Sequence, residues 1–275
     1  MRAAEPAYAI KLDRPLKAGE IYEERFTVDS QTRTVTTEPG GAPRTKEVSI
    51  KGDAVGRVEI LEVNAGGNPV AMSMLVRKFV AGPEGKEAVP GGKVVEIRRT
   101  DKDVQVSLKN GGEMSEEAKQ VIASCFGPLN RDKGMSDDLL QGTPIRRRVG
   151  DTWKTRHDGK VPDGIEMDPR DFTSRMLFKS VETANDVPAL RLVWTIQMKD
   201  FKSQLPPDYL LDHSSSKTEL TSVVPVDTAL PMIELSSLTQ MDFAAHHSTG
   251  GSTVAITQRI STRQTMTRVA AAKQP

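Results

Sequence analysis

The side chains that could serve a catalytic or metal site begin with the histidines. The chain has four of them: His157, His213, His246 and His247. Adjacent residues on a strand point to opposite faces, so His246 and His247 would not easily share one metal ion. A site that combines one of them with Asp242, or with the Asp212-His213 pair, stays open. Exposed histidines near a Ser/Thr/Gly turn are the simpler interpretation, since neither H-x-H nor H-x-x-x-H spacing occurs.

Residues suited to nucleophilic catalysis are present without the required arrangement. Asp212-His213-Ser214 contains an acid, a base and a hydroxyl. Sequence neighbours rarely converge, however, and a serine nucleophile needs a base that a third group orients. No Gly-x-Ser-x-Gly motif occurs. Cys125 is the single cysteine, and it lies on the predicted buried face of a helix, where a thiol is inert.

Charged clusters offer a second kind of candidate. The densest loop acids are Asp137-Asp138 and the segment from Asp168 to Asp171. Paired acids serve a glycosidase only at a set separation across a cleft, and aromatic residues for sugar stacking make up only 4% of the chain. The basic runs Arg146-Arg147-Arg148 and Arg98-Arg99 could contact phosphate or an acidic partner. Solvated strand flanks or edge protection explain them more simply.

Cofactor loops are not indicated either. Five double glycines occur, and none continues as a P-loop or as a dinucleotide fingerprint that opens a helix. The sequence therefore predicts no catalytic, cofactor-binding or metal-ligating residue and no cofactor.

The totals limit the classes of partner. The chain has 275 residues and a formal net charge of +1, so no overall attraction to nucleic acid is expected. No segment reaches the roughly 18 apolar residues of a membrane-spanning helix. The Ala/Pro-rich start at residues 1–7 favours a mature end left after a leader was removed, with an ordinary cytoplasmic terminus as the alternative.

Alternating apolar and polar residues dominate the chain and predict strands. Hairpins are expected around residues 64–69, around 100–103 and around 184–188, where Gly, Asn, Asp and Pro interrupt the pattern. One amphipathic helix is expected, capped by Ser115. Its apolar stripe consists of Ala118, Val121, Ile122, Cys125 and Phe126. A further helical turn is expected at 136–140.

The two halves of the chain share an order of features. Gly19-Glu20-Ile21-Tyr22 matches Gly150-Asp151-Thr152-Trp153, and long strands follow both. The glycine permits a tight turn, the acid binds local amides, and the aromatic anchors the core. We therefore expect an internal duplication, with Tyr22 and Trp153 as packing residues.

This order of elements resembles uncharacterised exported β-proteins of bacteria, some of them periplasmic proteins or lipoproteins of unknown function. The resemblance covers most of the chain, and its specific motif is short: Gly-Glu-x-Tyr, a central helix, then Val149-Gly150-Asp151-Thr152-Trp153. It implies an extracytoplasmic β architecture and carries over no catalytic residue. The lipid-bearing cysteine of such proteins has no counterpart, because Cys125 lies in the middle of the predicted helix.

Together these observations predict a mainly β protein, an antiparallel β-sandwich or paired half-barrels with one central amphipathic helix. An N-terminal β half (residues 1–112), a helix-containing connection (113–147) and a C-terminal β half (148–275) are expected. The predicted function is that of a non-catalytic, periplasmic or secreted binding or interaction protein, whose partner is an unknown protein or a small apolar ligand. The alternatives are a hydrolase with loop carboxylates and histidines, and a purely structural envelope module.

Overall fold

Long strands dominate the computed structural model, which places 62% of the chain in strands. The structure describes residues 6–38, 40–127, 138, 141–161, 165–202, 209–249 and 252–270. Their strands are β1 (Tyr8–Ile10), β2 (Ile21–Thr37), β3 (Arg44–Val63), β4 (Pro69–Ala81), β5 (Lys86–Glu87), β6 (Val94–Arg99), β7 (Val104–Leu108), β8 (Thr143–Arg147), β9 (Thr152–Lys154), β10 (Phe172–Ala184), β11 (Val187–Lys199), β12 (Tyr209–Pro225), β13 (Glu234–Thr249) and β14 (Ser252–Ala270). One α-helix, α1 (Glu116–Phe126), lies among the described residues. The predicted class, mainly antiparallel β with one helix, is confirmed.

Most of the strands belong to one sheet. Its twelve strands follow the order β7-β6-β4-β3-β2-β14-β13-β12-β11-β10-β9, with β5 beside β4. Every pairing is antiparallel, and the last strand of the chain, β14, returns to pair with β2. The N-terminal strands β2 to β7 and the C-terminal strands β9 to β14 are thus joined edge to edge. Strands β1 and β8 form a separate two-stranded sheet, here called the ribbon.

Both hydrophobic cores lie on the same face of the large sheet. The register aligns one row of residues across six strands: Phe26, Met266, Leu235, Ser222, Leu192 and Phe178. Phe26 belongs to the core of the N-terminal half and Phe178 to that of the C-terminal half. Because paired residues point to the same side of a sheet, we call this side the helix face and the other side the open face.

Helix α1 covers the helix face of the N-terminal half. Ser115 accepts a hydrogen bond from the Ala118 amide at the start of α1, as the sequence predicts, and Gly127 ends the helix at a φ of 74°. The predicted stripe packs on the core, and the rings of Phe126 and Phe26 lie 5.1 Å apart. Gly52 in β3 permits a close approach, since a Cβ there would lie 2.4 Å from the Val121 side chain.

The ribbon covers the helix face of the C-terminal half. Ile10 and the following Leu12 are buried against Phe178 and its neighbours. The ring of Tyr8 meets that of Phe178 edge-on at 5.8 Å. The indole N–H of Trp153 donates to the Gln141 carbonyl at 2.8 Å, just before β8. The sequence signal for the ribbon was weak because β1 and β8 are short.

The first of the two matching motifs forms a tight turn before β2. Gly19 has a φ of 85°, and its amide donates to the Ile60 carbonyl at 2.8 Å, while the Ile60 amide donates to the Glu20 carbonyl at 2.9 Å. The Glu20 carboxylate accepts from the Lys17 amide at 3.0 Å. The turn thus fixes the start of β2 against β3.

The second motif repeats this turn before β9. Gly150 has a φ of 89°, its amide donates to the Phe178 carbonyl at 2.8 Å, and the Phe178 amide donates to the Asp151 carbonyl at 2.9 Å. The Asp151 carboxylate accepts from the Arg148 amide at 2.9 Å. A β-bulge follows the contacted residue in both halves, between Ile60 and Glu62 and between Phe178 and Ser180. Duplication stays a prediction, which these matching turns favour.

A buried ion pair lies where the two halves meet. Glu24 of β2 is 1% exposed and accepts a hydrogen bond from the guanidinium of Arg268 in β14, which is 7% exposed. Arg268 also lies 4.9 Å over the ring of Tyr22. Burial raises the pKa of the Glu24 carboxyl, and the attraction of Arg268 opposes that shift. A buried charge of this kind is tolerated only while its partner is present.

Strand bounds differ from the sequence expectation at the start of the C-terminal half. Strands resume at Thr143, ahead of the predicted start at Arg148. Of the helical turn expected at 136–140, only Asp138 is among the described residues. No helix in the described part of the chain is long and apolar enough to cross a membrane.

Candidate binding groove

The candidate site lies where five adjacent strands extend past both covers of the helix face. In this region Gln, Lys, Arg, Ser and Asp residues stand on the open face of the strands. Here the structure has a depression of about 530 Å³, which we call the groove. Its lining residues are Gln31, Arg33, Gln197, Met198, Lys199, Ser215, Ser216, Lys217, Gln240, Met241, Asp242 and Ile260.

The register arranges the polar lining residues other than Ser216 in two rows. Cross-strand pairing puts Lys217 beside Gln240 and Gln197. It also puts Ser215 beside Asp242 and Lys199. Gln31 and Arg33 stand at the β2 end of these rows. They alternate with Thr32, which shares a side with Phe26. Because side chains alternate along a strand, both rows lie on the open face.

The groove is predominantly cationic. Arg33, Lys199 and Lys217 line it together with one carboxylate, that of Asp242. Arg33 lies 3.7 Å from Glu47, and both side chains are largely exposed to solvent. Lys217 is 4.0 Å from Glu219, at the limit of an ion pair. Exposed pairs of this kind contribute little, about 0–1 kcal/mol, so the cations remain able to bind another anion.

Two of the histidines lie next to carboxylates, and one of these pairs borders the groove. His213 Nε2 is 3.1 Å from Asp242 Oδ1. A bulge in β12 between Leu211 and His213 aims the neighbouring Asp212 at β13. Its Oδ1 lies 2.6 Å from Nδ1 of His246. The combination of histidine and Asp242 that the sequence left open is therefore present as a two-residue contact.

The other sequence candidates lie apart from the groove. Cys125 is packed against the N-terminal core, and burial raises the pKa of its thiol to about 12, so the thiolate is scarce. Asp168 binds its neighbour Arg170, whose hydrogen bonds lower the pKa of that carboxyl to about 2. His157 donates its backbone amide to Thr155 Oγ1. Asp138 accepts from the Leu12 amide and thereby holds the ribbon; Asp137 lies outside the described residues.

The basic runs have structural partners. Arg146 donates to the Ala7 carbonyl at 2.9 Å, and Arg147 lies 5.1 Å over the Trp153 ring. Arg99 was expected on a solvated strand flank, but it is buried and donates to the Gly127 carbonyl at the end of α1. Arg98 lies 3.7 Å from Glu62. Sequence patterns missed Arg99 because its acceptor is a carbonyl that only the fold brings near.

Sequence reasoning also missed the groove. Its residues come from five strands and have no shared motif, so no local sequence pattern marked them. Within the described ranges, no cluster of three or more His, Cys, Asp or Glu residues could hold a metal ion. No family model matches the chain, and no curated protein matches its sequence.

Proposed function

We propose that this protein is a non-catalytic, extracytoplasmic binding protein whose ligand lies in the groove. The observation that carries the proposal is the depression of about 530 Å³ lined by residues of five strands, with polar open-face side chains from β2, β11, β12 and β13. Sites for small molecules are concave and typically occupy ~300–1,000 Å³. Strands restrict the backbone on which the contact residues stand, so little ordering free energy is lost when a ligand binds.

A polar ligand has more support than the apolar one considered from the sequence. The two cores of buried apolar side chains lie beneath α1 and the ribbon. The groove instead offers amides, hydroxyls and cations. Its apolar lining residues, Met198, Met241 and Ile260, stand in the register row between the two polar rows, and their side chains belong to the helix face. A small apolar molecule would have to displace water from these polar groups without replacing their hydrogen bonds.

The hydrolase alternative rests on one contact. His213 lies 3.1 Å from Asp242, and Asp242 lines the groove. A carboxylate that orients an imidazole is part of a general base. Under this alternative, His213→Ala abolishes turnover of ester or phosphoester substrates while leaving their binding largely intact. Absence of turnover by the wild-type protein across such substrates contradicts it.

The extracytoplasmic location rests on the resemblance to exported bacterial β-proteins. Fractionation of the producing cells tests it, with recovery in the periplasm or medium as the expected result. Recovery in the cytoplasm would contradict the location and leave the groove proposal standing.

Blocking the groove tests the binding function. Ser215→Trp places an indole between Asp242 and Lys199 in the groove, whereas Ser107→Trp places the same side chain at an exposed position of the edge strand β7. A thermal-shift screen of organic acids, amino acids, sugars, nucleotides and fatty acids is run on both variants and on wild type. We expect at least one compound to raise the Tm of wild type and Ser107→Trp but not of Ser215→Trp. Equal stabilisation of both variants, or of none of the three proteins, would contradict the proposal.

A further inference from the structure

Charge and spacing within the groove indicate the class of its ligand. We infer that the groove binds a small organic dianion, with an anionic group at each end and hydroxyl groups between them. This inference rests on the proposed binding function and specifies the ligand of the same site.

One anionic group of the ligand is assigned to the end of the groove that Lys199 and Lys217 form. Lys199 of β11 and Lys217 of β12 occupy neighbouring strands in adjacent rows of the open face. Diagonal neighbours of this kind are about 7–8 Å apart, so two flexible ammonium groups can bind one carboxylate or phosphate together. Within the described ranges, Lys199 has no carboxylate partner, and Lys217 has only the distant Glu219 at 4.0 Å.

The second anionic group is assigned to Arg33. This residue lies on β2, four strands away from β11 in the sheet order. Four strand spacings of about 4.8 Å place the two backbones roughly 19 Å apart in a flat sheet. Because Arg and Lys side chains are long and flexible, a small molecule with an anionic group at each end can bridge these two positions. The guanidinium presents two parallel donors to a carboxylate or phosphate.

The middle of the groove favours hydroxyls over a hydrocarbon chain. Gln31, Gln240 and Gln197 share one row and supply both donors and acceptors. Asp242 lies in the other row, beside Ser215. Its carboxylate accepts hydrogen bonds, which hydroxyls of a ligand can donate, and it repels a further anionic group at the centre. The anionic groups therefore belong at the ends.

Three six-carbon probes separate these features. Glucarate carries a carboxylate at each end and hydroxyls on every inner carbon. Adipate keeps both carboxylates and lacks the hydroxyls, and sorbitol keeps the hydroxyls and lacks the carboxylates. Isothermal titration calorimetry should rank the affinities glucarate, adipate, sorbitol, from tightest to weakest. Added NaCl should weaken glucarate binding, because salt screens charges that are exposed to solvent.

Variants locate the two ends. Lys199→Gln/Lys217→Gln and Arg33→Gln should each weaken glucarate binding by about tenfold, the size expected for one lost charged hydrogen bond. Lys109→Gln, an exposed lysine beyond β7, serves as the matched control and should have no effect. Sorbitol binding should change in none of them.

The outcomes distinguish this inference from the function on which it rests. Glucarate binding that is weakened in both charge variants and lost in Ser215→Trp supports both. If sorbitol binds as tightly as glucarate and only Ser215→Trp abolishes binding, the groove binds ligands but the dianion assignment is wrong. Failure of all three probes while another compound from the screen binds in the groove overturns the assignment alone. If glucarate binds equally to Ser215→Trp, the site is elsewhere and both proposals fail.

Discussion

The N-terminal half of the large sheet buries its helix face beneath α1, whereas the C-terminal half buries the same face beneath the ribbon. Both halves nevertheless begin with the same turn, at Gly19 and at Gly150, and both continue into a bulge after the residue that the turn contacts. The turns and bulges recur in both halves, while the covers differ. The strand segments beyond both covers are the ones that line the groove.

The largest expected effect comes from removing the central aromatic residue of either core. Phe26→Ala and Phe178→Ala should each lower the free energy of unfolding by about 4 kcal/mol, since each leaves a cavity in place of a ring. Urea unfolding measures the loss. Hydrogen exchange should show faster exchange in α1 for Phe26→Ala and in the ribbon for Phe178→Ala, because each ring contacts that cover. Loosening of both covers by either substitution would show that the cores are not separate.

The stability of the protein should depend nearly as strongly on the buried ion pair between β2 and β14, where the two halves meet. Arg268→Met leaves the buried carboxylate of Glu24 without its cation and should cost about 3 kcal/mol. The double variant Glu24→Leu/Arg268→Met replaces both charges with apolar groups and should recover most of that loss. Chemical denaturation of the single and double variants checks both values. A double variant no more stable than Arg268→Met would mean that the loss of stability comes from packing and not from the unpaired charge of Glu24.

The matched turns allow the most direct comparison. Gly19→Ala and Gly150→Ala both introduce a Cβ at a positive φ, of 85° and 89°, with no atom within 4 Å of it. Only backbone strain should therefore contribute, and each should cost about 1 kcal/mol. Thermal unfolding of the two variants should give equal losses within error. A large inequality would contradict the equivalence of the two turns.

How much of this could be predicted from the sequence depended on the range of the interactions involved. The hairpins, the helix cap at Ser115 and the shared Gly-acid-x-aromatic motif are local, and all three occur in the structure. The pairing of β14 with β2 joins residues more than 200 positions apart, as Arg268 and Glu24 illustrate. No local pattern encodes such a pairing. The groove depends on it and was for that reason not predicted.

The smallest expected effect concerns an ion pair on the C-terminal half. Hydrogen bonds from Arg191 lower the pKa of the Glu182 carboxyl below its usual 4.5. A lowered pKa in the folded state stabilises the protein above the unfolded-state pKa, and this stabilisation is lost as the pH falls through the lowered value. Glu182→Gln should cost about 0.5–1 kcal/mol at pH 7 and nothing in acid below that value. A pH-independent difference between the variant and wild type in urea unfolding would contradict this origin.

The most direct test of the groove as the binding site is amide chemical-shift mapping of the intact protein during a glucarate titration. We expect the shifted amides to cluster at residues 197–199, 215–217 and 240–242, with those of α1 and the ribbon unchanged. Shifts confined to α1 or the ribbon, or spread evenly over the sheet, would contradict the assignment of the groove as the site of binding.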